Sequence, residues 1–136
     1  MGLSFGAVPI SLSSVTGAFN CKRGFEIRQH WDKIPLDTDV LITHGPPLGI
    51  GDGMGATFEN GKWEGAHVGD ADLLIRLREV NPKLHIFGHV HSGRGFYAPM
   101  KLKQPDFKEG YITKCANVAI CDEGYKPVYE PMILEL

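Results

Sequence analysis

Three histidines stand where two apolar runs end. Asp39 to Thr43 (DVLIT) leads directly into His44, and Lys83 to Gly88 (KLHIFG) leads into His89-Val90-His91. Neutral imidazole is a common nitrogen ligand for Zn, Fe, Mn and Ni. On extended backbone, His89 and His91 project to the same side about 6.6 Å apart. That separation suits two ions roughly 3.5–4 Å apart better than chelation of a single ion. A lone histidine at a strand end is ordinarily solvated or hydrogen-bonded, so neither motif is specific alone. Their combination on two strands of one unit is.

Other residues are weaker candidates for chemistry. His67 precedes a helix and is a candidate substrate contact, against the blander reading of a capping or loop histidine. Asp52, in a glycine-rich loop, is a candidate substrate contact, against the role of a turn residue. Trp63 either stacks a base over a cleft or anchors its own loop. His85 alternates with Leu84 and Ile86 and reads as packed within the sheet, and His30 carries no signal.

The elements that position these groups are legible to different degrees. Asp39 to Thr43 and Lys83 to Gly88 read as interior strands, apolar enough to be buried on both faces. Between them lies the best helix: Asp70 as N-cap, Asp72 in the first turn, Leu73, Leu74, Leu77 and Val80 on one face, and Asn81-Pro82 as the stop. Strand, loop, helix and strand make a β-α-β unit with parallel strands, and ligands of such sheets bind beyond the carboxyl ends of the strands. Gly45 to Val68 shows no convincing periodicity. It reads as a long functional loop.

Elsewhere, Met1 to Asn20 reads as strand then loop. Phe25 to Lys33 reads as a short helix whose Ile27–Trp31 face continues to Ile34 before Pro35. After Gly95 the pattern turns all-β: Gly95 to Ala98, Tyr111 to Ile120 and Met132 to Leu136, with turns around Pro105 and Asp122-Glu123-Gly124.

Composition narrows the function classes. With 136 residues, 43% hydrophobic and 22% charged, the chain can bury a core without disulfides. The net charge is −2 and basic residues come at most in pairs, which argues against a nucleic-acid polymer as partner. A small phosphorylated substrate stays compatible, because metal ions supply positive charge. Three cysteines without a close C-x-x-C pair argue against a disulfide framework or zinc knuckle, and Cys115 and Cys121 read as small packing residues. No run approaches the ~20 apolar residues of a membrane span, and the N-terminus is a poor signal peptide. The cytoplasm is the default expectation.

Gly88-His89-Val90-His91 resembles the G-H-x-H motif that closes the metal site of calcineurin-like metallophosphoesterases, and Thr43-His44-Gly45-Pro46-Pro47 resembles their preceding single-histidine motif. The wider pattern, Asp39 to Gly51, His67-Val68-Gly69 and Asn81 to Gly88, is most similar to the metallophosphoesterase-domain-containing subfamily. The likeness is tight from Trp31 to Gly95 and thin over most of the last forty residues. It implies an α/β fold, part of a four-layer β-sandwich flanked by helices, with residues 1–136 as the C-terminal half of one such domain. It also implies two divalent metal ions (Mn, Fe, Zn or Mg), with His44 and His89 on one and His91 on the other.

The family's D-x-H, G-D-x-x-D and G-N-H-(D/E) motifs do not occur in these residues, so no catalytic residue is assigned. The function expected is metal-dependent phosphoester hydrolysis of a phosphodiester or cyclic nucleotide by the intact protein. A phosphomonoesterase, a non-catalytic nucleotide- or metal-binding regulatory module, and a structural metal site are the alternatives. A chain with so much apolar strand is also expected to be marginally folded on its own or to self-associate, unless Met1 to Ser14 folds back to supply a missing strand.

Overall fold

A computed structural model describes residues 2–9, 11–12, 20–59, 62–97 and 113–136, with side chains at 11–12, 55–59 and 62–64 outside that description. The Trp63 side chain, Ala98, the turn around Pro105 and the start of the Tyr111–Ile120 segment lie outside the described residues.

Nine strands and two helices are described. The strands are β1 (Phe5–Val8), β2 (Ser11–Leu12), β3 (Asn20–Cys21), β4 (Val40–Thr43), β5 (Gly53–Glu59), β6 (Lys62–His67), β7 (Leu84–Phe87), β8 (Gly95–Tyr97) and β9 (Lys114–Asn117). Helix α1 is Phe25–Trp31 and α2 is Ala71–Val80. The main sheet has the order β1-β4-β7-β9-β8, parallel except for antiparallel β8. The class is α/β with a mixed sheet. The N-terminal segment does supply a strand, with Phe5 to Val8 pairing Val40 to Thr43 in parallel.

The connection from β1 to β4 contains α1 and that from β4 to β7 contains α2, the usual crossover between parallel strands. In α2 the Asp70 carboxylate accepts the Leu73 amide at 2.8 Å, and Asn81 ends the helix in the left-handed region at φ 50. An asparagine tolerates that conformation, and Pro82 prevents the helix from continuing. Leu73, Leu77 and Val80 are buried, with Leu74 partly buried beside them. Together with Ile27, Trp31 and Ile34 around α1, they pack on Leu41, Phe87 and Cys115. Burying each large aliphatic side chain there contributes about 1.5–3 kcal/mol.

Register places Leu41, His85, Cys115 and Tyr97 on the face toward the helices. Phe5, Val40, Ile42, Leu84, Ala116 and Phe96 occupy the other face. Burial on both faces holds for Val40 and Leu41 but not for Ile42, which is 41% exposed.

Two expectations are corrected. Gly45 to Val68 is not structureless: β5 and β6 form an antiparallel hairpin with Glu59 opposite Lys62 and Gly53 opposite His67. The signal was Asn60-Gly61, the dipeptide favoured in two-residue hairpin turns; weak alternation in the flanking glycine-rich strands concealed it. Met132 to Leu136 is not a strand. Ile133 is 93% exposed, so its apolar side chain meets no sheet among the described residues.

His85 lies fully buried in the sheet. Its Nε2 is 2.9 Å from the Thr43 hydroxyl, which donates its one hydrogen to the Gly45 carbonyl at 2.7 Å. His85 Nε2 must therefore be the donor, leaving an unpartnered Nδ1 lone pair rather than an orphaned N–H. Burial disfavours the imidazolium and lowers the pKa from 6.5 to about 3. Below 6.5 the unfolded chain takes up a proton that the folded chain refuses, so stability falls as pH drops toward about 3. The expected loss is about 1.4 kcal/mol per pH unit in that window. Urea unfolding at pH 7 and pH 4.5 checks this. Wild type should lose roughly 2–3 kcal/mol more than His85→Gln, and equal losses would refute it.

Candidate metal centre

The parallel ladder of β4 and β7 brings the histidines together. Ile42 pairs with Ile86, and beyond the strand ends the Gly88 amide still donates to the His44 carbonyl at 3.0 Å. The chain then turns within three residues, the Val90 amide donating to the Gly88 carbonyl at 2.8 Å. His89 occupies the centre of this turn at φ 70. A γ-turn with positive φ is rare and strained for a residue carrying a side chain.

His44 Nε2 and His89 Nδ1 end 3.1 Å apart, their ring centroids separated by 4.8 Å. With metal–nitrogen bonds of about 2.0–2.1 Å, adjacent ligands are separated by ~2.9 Å at octahedral angles and ~3.3 Å at tetrahedral ones. The observed spacing falls between these values. Both rings are solvent-accessible, yet partial desolvation lowers the His89 pKa, with the neighbouring His44 and His91 adding to the effect. Lowering favours the neutral imidazole that a metal requires.

His91 is oriented separately. Its Nδ1 donates to the Asp122 carbonyl at 2.6 Å, which leaves Nε2 as the free nitrogen. Such an outer hydrogen bond commonly fixes the tautomer of a ligating histidine. The Tyr125 ring meets His91 edge-on at 5.2 Å. Among the described residues, no group of three His, Cys, Asp or Glu side chains converges on a single ion position.

Asp52 and His67, singled out separately in the sequence, are direct partners. Asp52 is 2% exposed; its Oδ1 accepts from His67 Nδ1 at 2.9 Å, and its Oδ2 accepts the amides of Gly49 at 2.9 Å and Gly69 at 3.0 Å. Tyr97, half-buried nearby, has a raised pKa, first from burial and then from the Asp52 charge. Its hydroxyl donates to the Gly93 carbonyl at 2.7 Å.

Sequence reasoning missed the groups that hold these loops together. Asn117, fully buried at the end of β9, donates Nδ2 hydrogens to the carbonyls of Val90 at 2.7 Å and Gly51 at 3.2 Å. Its Oδ1 accepts the Ala119 amide at 3.1 Å, which settles the orientation of the side-chain amide. Ser92 Oγ donates to the Gly53 carbonyl at 2.7 Å. Gly93 sits so close to Gly51 that an added Cβ would overlap the Gly51 carbonyl. None of these residues carries a local motif that marks a clamp. The Asp122 carbonyl is a backbone group and has no sequence signal at all.

No family model matches the chain. It is 36% identical over 119 residues to metallophosphoesterase domain-containing protein 1 of Homo sapiens, covering 87% of this chain and 31% of that protein. A UPF0046 protein of Caenorhabditis elegans is 38% identical over 120 residues, covering 88% of this chain and 26% of that protein. A second from the same organism is 40% identical over 115 residues, or 85% and 33%. The chain thus spans about a third or less of these curated relatives.

Replacing Asn117 by Asp keeps the shape but removes both donors, leaving two carbonyls facing a carboxylate. Each buried carbonyl left unpaired costs about 1–3 kcal/mol. Asn117→Asp should therefore lose at least ~2 kcal/mol in chemical denaturation at neutral pH, and an unchanged midpoint would count against the clamp. Along most of its length this chain is homologous to a part of the metallophosphoesterase-domain proteins.

Proposed function

We propose that this chain is the histidine-bearing portion of a metal-dependent phosphoesterase, with His44 and His89 holding one divalent ion and His91 a second. The observation that carries the reading is His89. A bulky residue is kept at φ 70, where glycine would be relaxed, and its ring nitrogen is thereby set 3.1 Å from that of His44. Homology supports the same reading, with relatives named for a metallophosphoesterase domain.

Nitrogen donors suit Zn, Fe or Mn better than Mg. Two divalent ions supply Lewis acidity for phosphoryl oxygens and for a water nucleophile. The chain's own contribution is to present imidazoles from two strand ends and to orient them. The Asp122 carbonyl does this for His91, and the His44–His89 contact brings the other two together. The substrate class we favour is a small phosphodiester, a cyclic nucleotide included. The cytoplasm is the location we favour from the sequence; separately, no helix of the described residues is long and apolar enough to cross a membrane.

The five-stranded sheet is taken as one sheet of a β-sandwich. On the face away from the helices Phe5, Ile42 and Phe96 are 65%, 41% and 51% exposed while Val40, Leu84 and Ala116 are buried, so part of that face is open to a second layer. A second copy of the chain is a further candidate to cover it.

Three imidazoles divided between two ions leave each far short of a full coordination shell. This chain alone should bind metal weakly and hydrolyse a chromogenic phosphodiester at no enzymatic rate, even with added Mn²⁺. Hydrolysis that follows the purified chain and vanishes in His91→Ala would contradict this. A paired substitution tests His89 itself. His89→Gly and His89→Ala should both lose zinc affinity, read by competition with a chromogenic chelator. The glycine variant should be the more stable of the two by ~1 kcal/mol, because it relaxes the positive φ. Unchanged zinc affinity in both variants would refute the assignment.

A further inference from the structure

Outside the three histidines, the described structure contains a second built arrangement of ionisable groups, Asp52 with His67. The Asp52 carboxylate is buried at the base of the loop that leaves His44. It is saturated by two glycine amides and by His67 Nδ1. A carboxylate oxygen accepts, so Nδ1 carries the hydrogen, and Nε2 has no hydrogen-bond partner among the described residues. The His67 side chain is 66% exposed while its partner is 2% exposed. The pair is thus anchored at one end and open at the other.

Its position connects it to the metal centre. His67 lies opposite Gly53 in the β5–β6 pair, and the Gly53 carbonyl accepts the hydroxyl of Ser92, the residue after His91. Asp52 follows Gly51, whose carbonyl shares the Asn117 amide with Val90, the residue between His89 and His91. Positive charge stands nearby. The Arg23 guanidinium forks onto the carbonyls of Val68 and Gly69, both at 2.7 Å, directly beside His67. Gly69 itself cannot carry a side chain, because a Cβ there would overlap the Pro47 carbonyl, so the turn bearing His67 is pressed against the loop from His44.

We infer that His67, oriented by Asp52 and flanked by Arg23, is a phosphoryl-oxygen binding residue at the margin of the metal centre. Asp52 does not touch the ligand; it is a positioning residue that fixes the Nδ1–H tautomer and aims Nε2 outward. Nε2 carries a hydrogen when the ring is protonated, and it then donates to a phosphoryl oxygen. Phosphate favours that form, since a charge-assisted bond to an oxyanion is stronger than one to water. The location of the phosphoryl group rests on the metal-centre reading, but the binding atom and its orientation do not.

The test is a titration of inorganic phosphate into the intact chain, with and without Zn²⁺, following imidazole nitrogens by long-range ¹H–¹⁵N correlation. The free protein should show His67 protonated at Nδ1. Phosphate should shift His67 Nε2 in a saturable way, and His67→Ala should bind phosphate about 10-fold more weakly, as expected for loss of one hydrogen bond to a charged group. Asp52→Asn should abolish the fixed tautomer; if it unfolds, His67→Ala alone decides, since an exposed side chain is removed there. His67 resonances that stay still at saturating phosphate overturn the inference, whether or not zinc is bound. Zinc that fails to shift His44, His89 and His91, while phosphate still shifts His67, would instead overturn the metal reading and leave the phosphate site standing.

Discussion

One buried side-chain amide ties this molecule's loops together. Asn117 has two hydrogens and one oxygen, and it spends both hydrogens on carbonyls from different connections, Gly51 and Val90. In water those carbonyls would be solvated, so the arrangement gains little over the unfolded chain. Its importance is asymmetric: inside the fold nothing else among the described residues replaces it, and losing it strands buried acceptors. The loop after β4 and the turn after β7 are therefore locked to the end of β9. The histidines ride on both of those segments.

From that constraint the rest follows in order. Parallel pairing of β4 with β7 aligns the ends of both strands, and the Gly88 amide on the His44 carbonyl extends the ladder past them. The chain must then leave the sheet sharply, and the turn at His89 accepts a strained φ to do so. Packing on the other side tolerates no slack either. Gly93 lies against the Gly51 backbone, and Tyr97 closes over Gly93. Strain at His89 is sustained because its surroundings determine it more than its own backbone preference does.

A second chain of polar contacts runs beneath the first, from His85 through Thr43 to the Gly45 carbonyl. A buried histidine is a poor choice for stability, since its neutral form leaves one nitrogen unpaired. It does hold the backbone immediately after His44. The same logic governs Asp52, whose burial is tolerable only because three donors surround it. In each case a polar group is placed in the interior to fix a loop, and the group it fixes carries an imidazole.

How much of this was legible in the sequence depended on the range of the interaction involved. Helix α2 was readable to its caps, because Asp70, the leucine stripe and Asn81-Pro82 act within a turn or two of their own positions. Strands β4 and β7 were readable from apolar runs, and their histidines from position at the run ends. The hairpin of β5 and β6 was missed despite Asn60-Gly61, since glycine-rich strands carry little alternation. Met132 to Leu136 misled in the opposite way: apolar residues favour a strand only where a neighbour offers paired backbone, and none is described there. The composition of the chain and the identity of its candidate ligands were thus properties of sequence alone. Tertiary structure decided that Asp52 and His67 are partners, that Asn117 joins two loops, and that a backbone carbonyl at Asp122 orients His91. Those contacts span 15, 27, 66 and 31 residues, and no local preference encodes a meeting between groups so far apart. They exist because sheet order and register bring the loops to one edge.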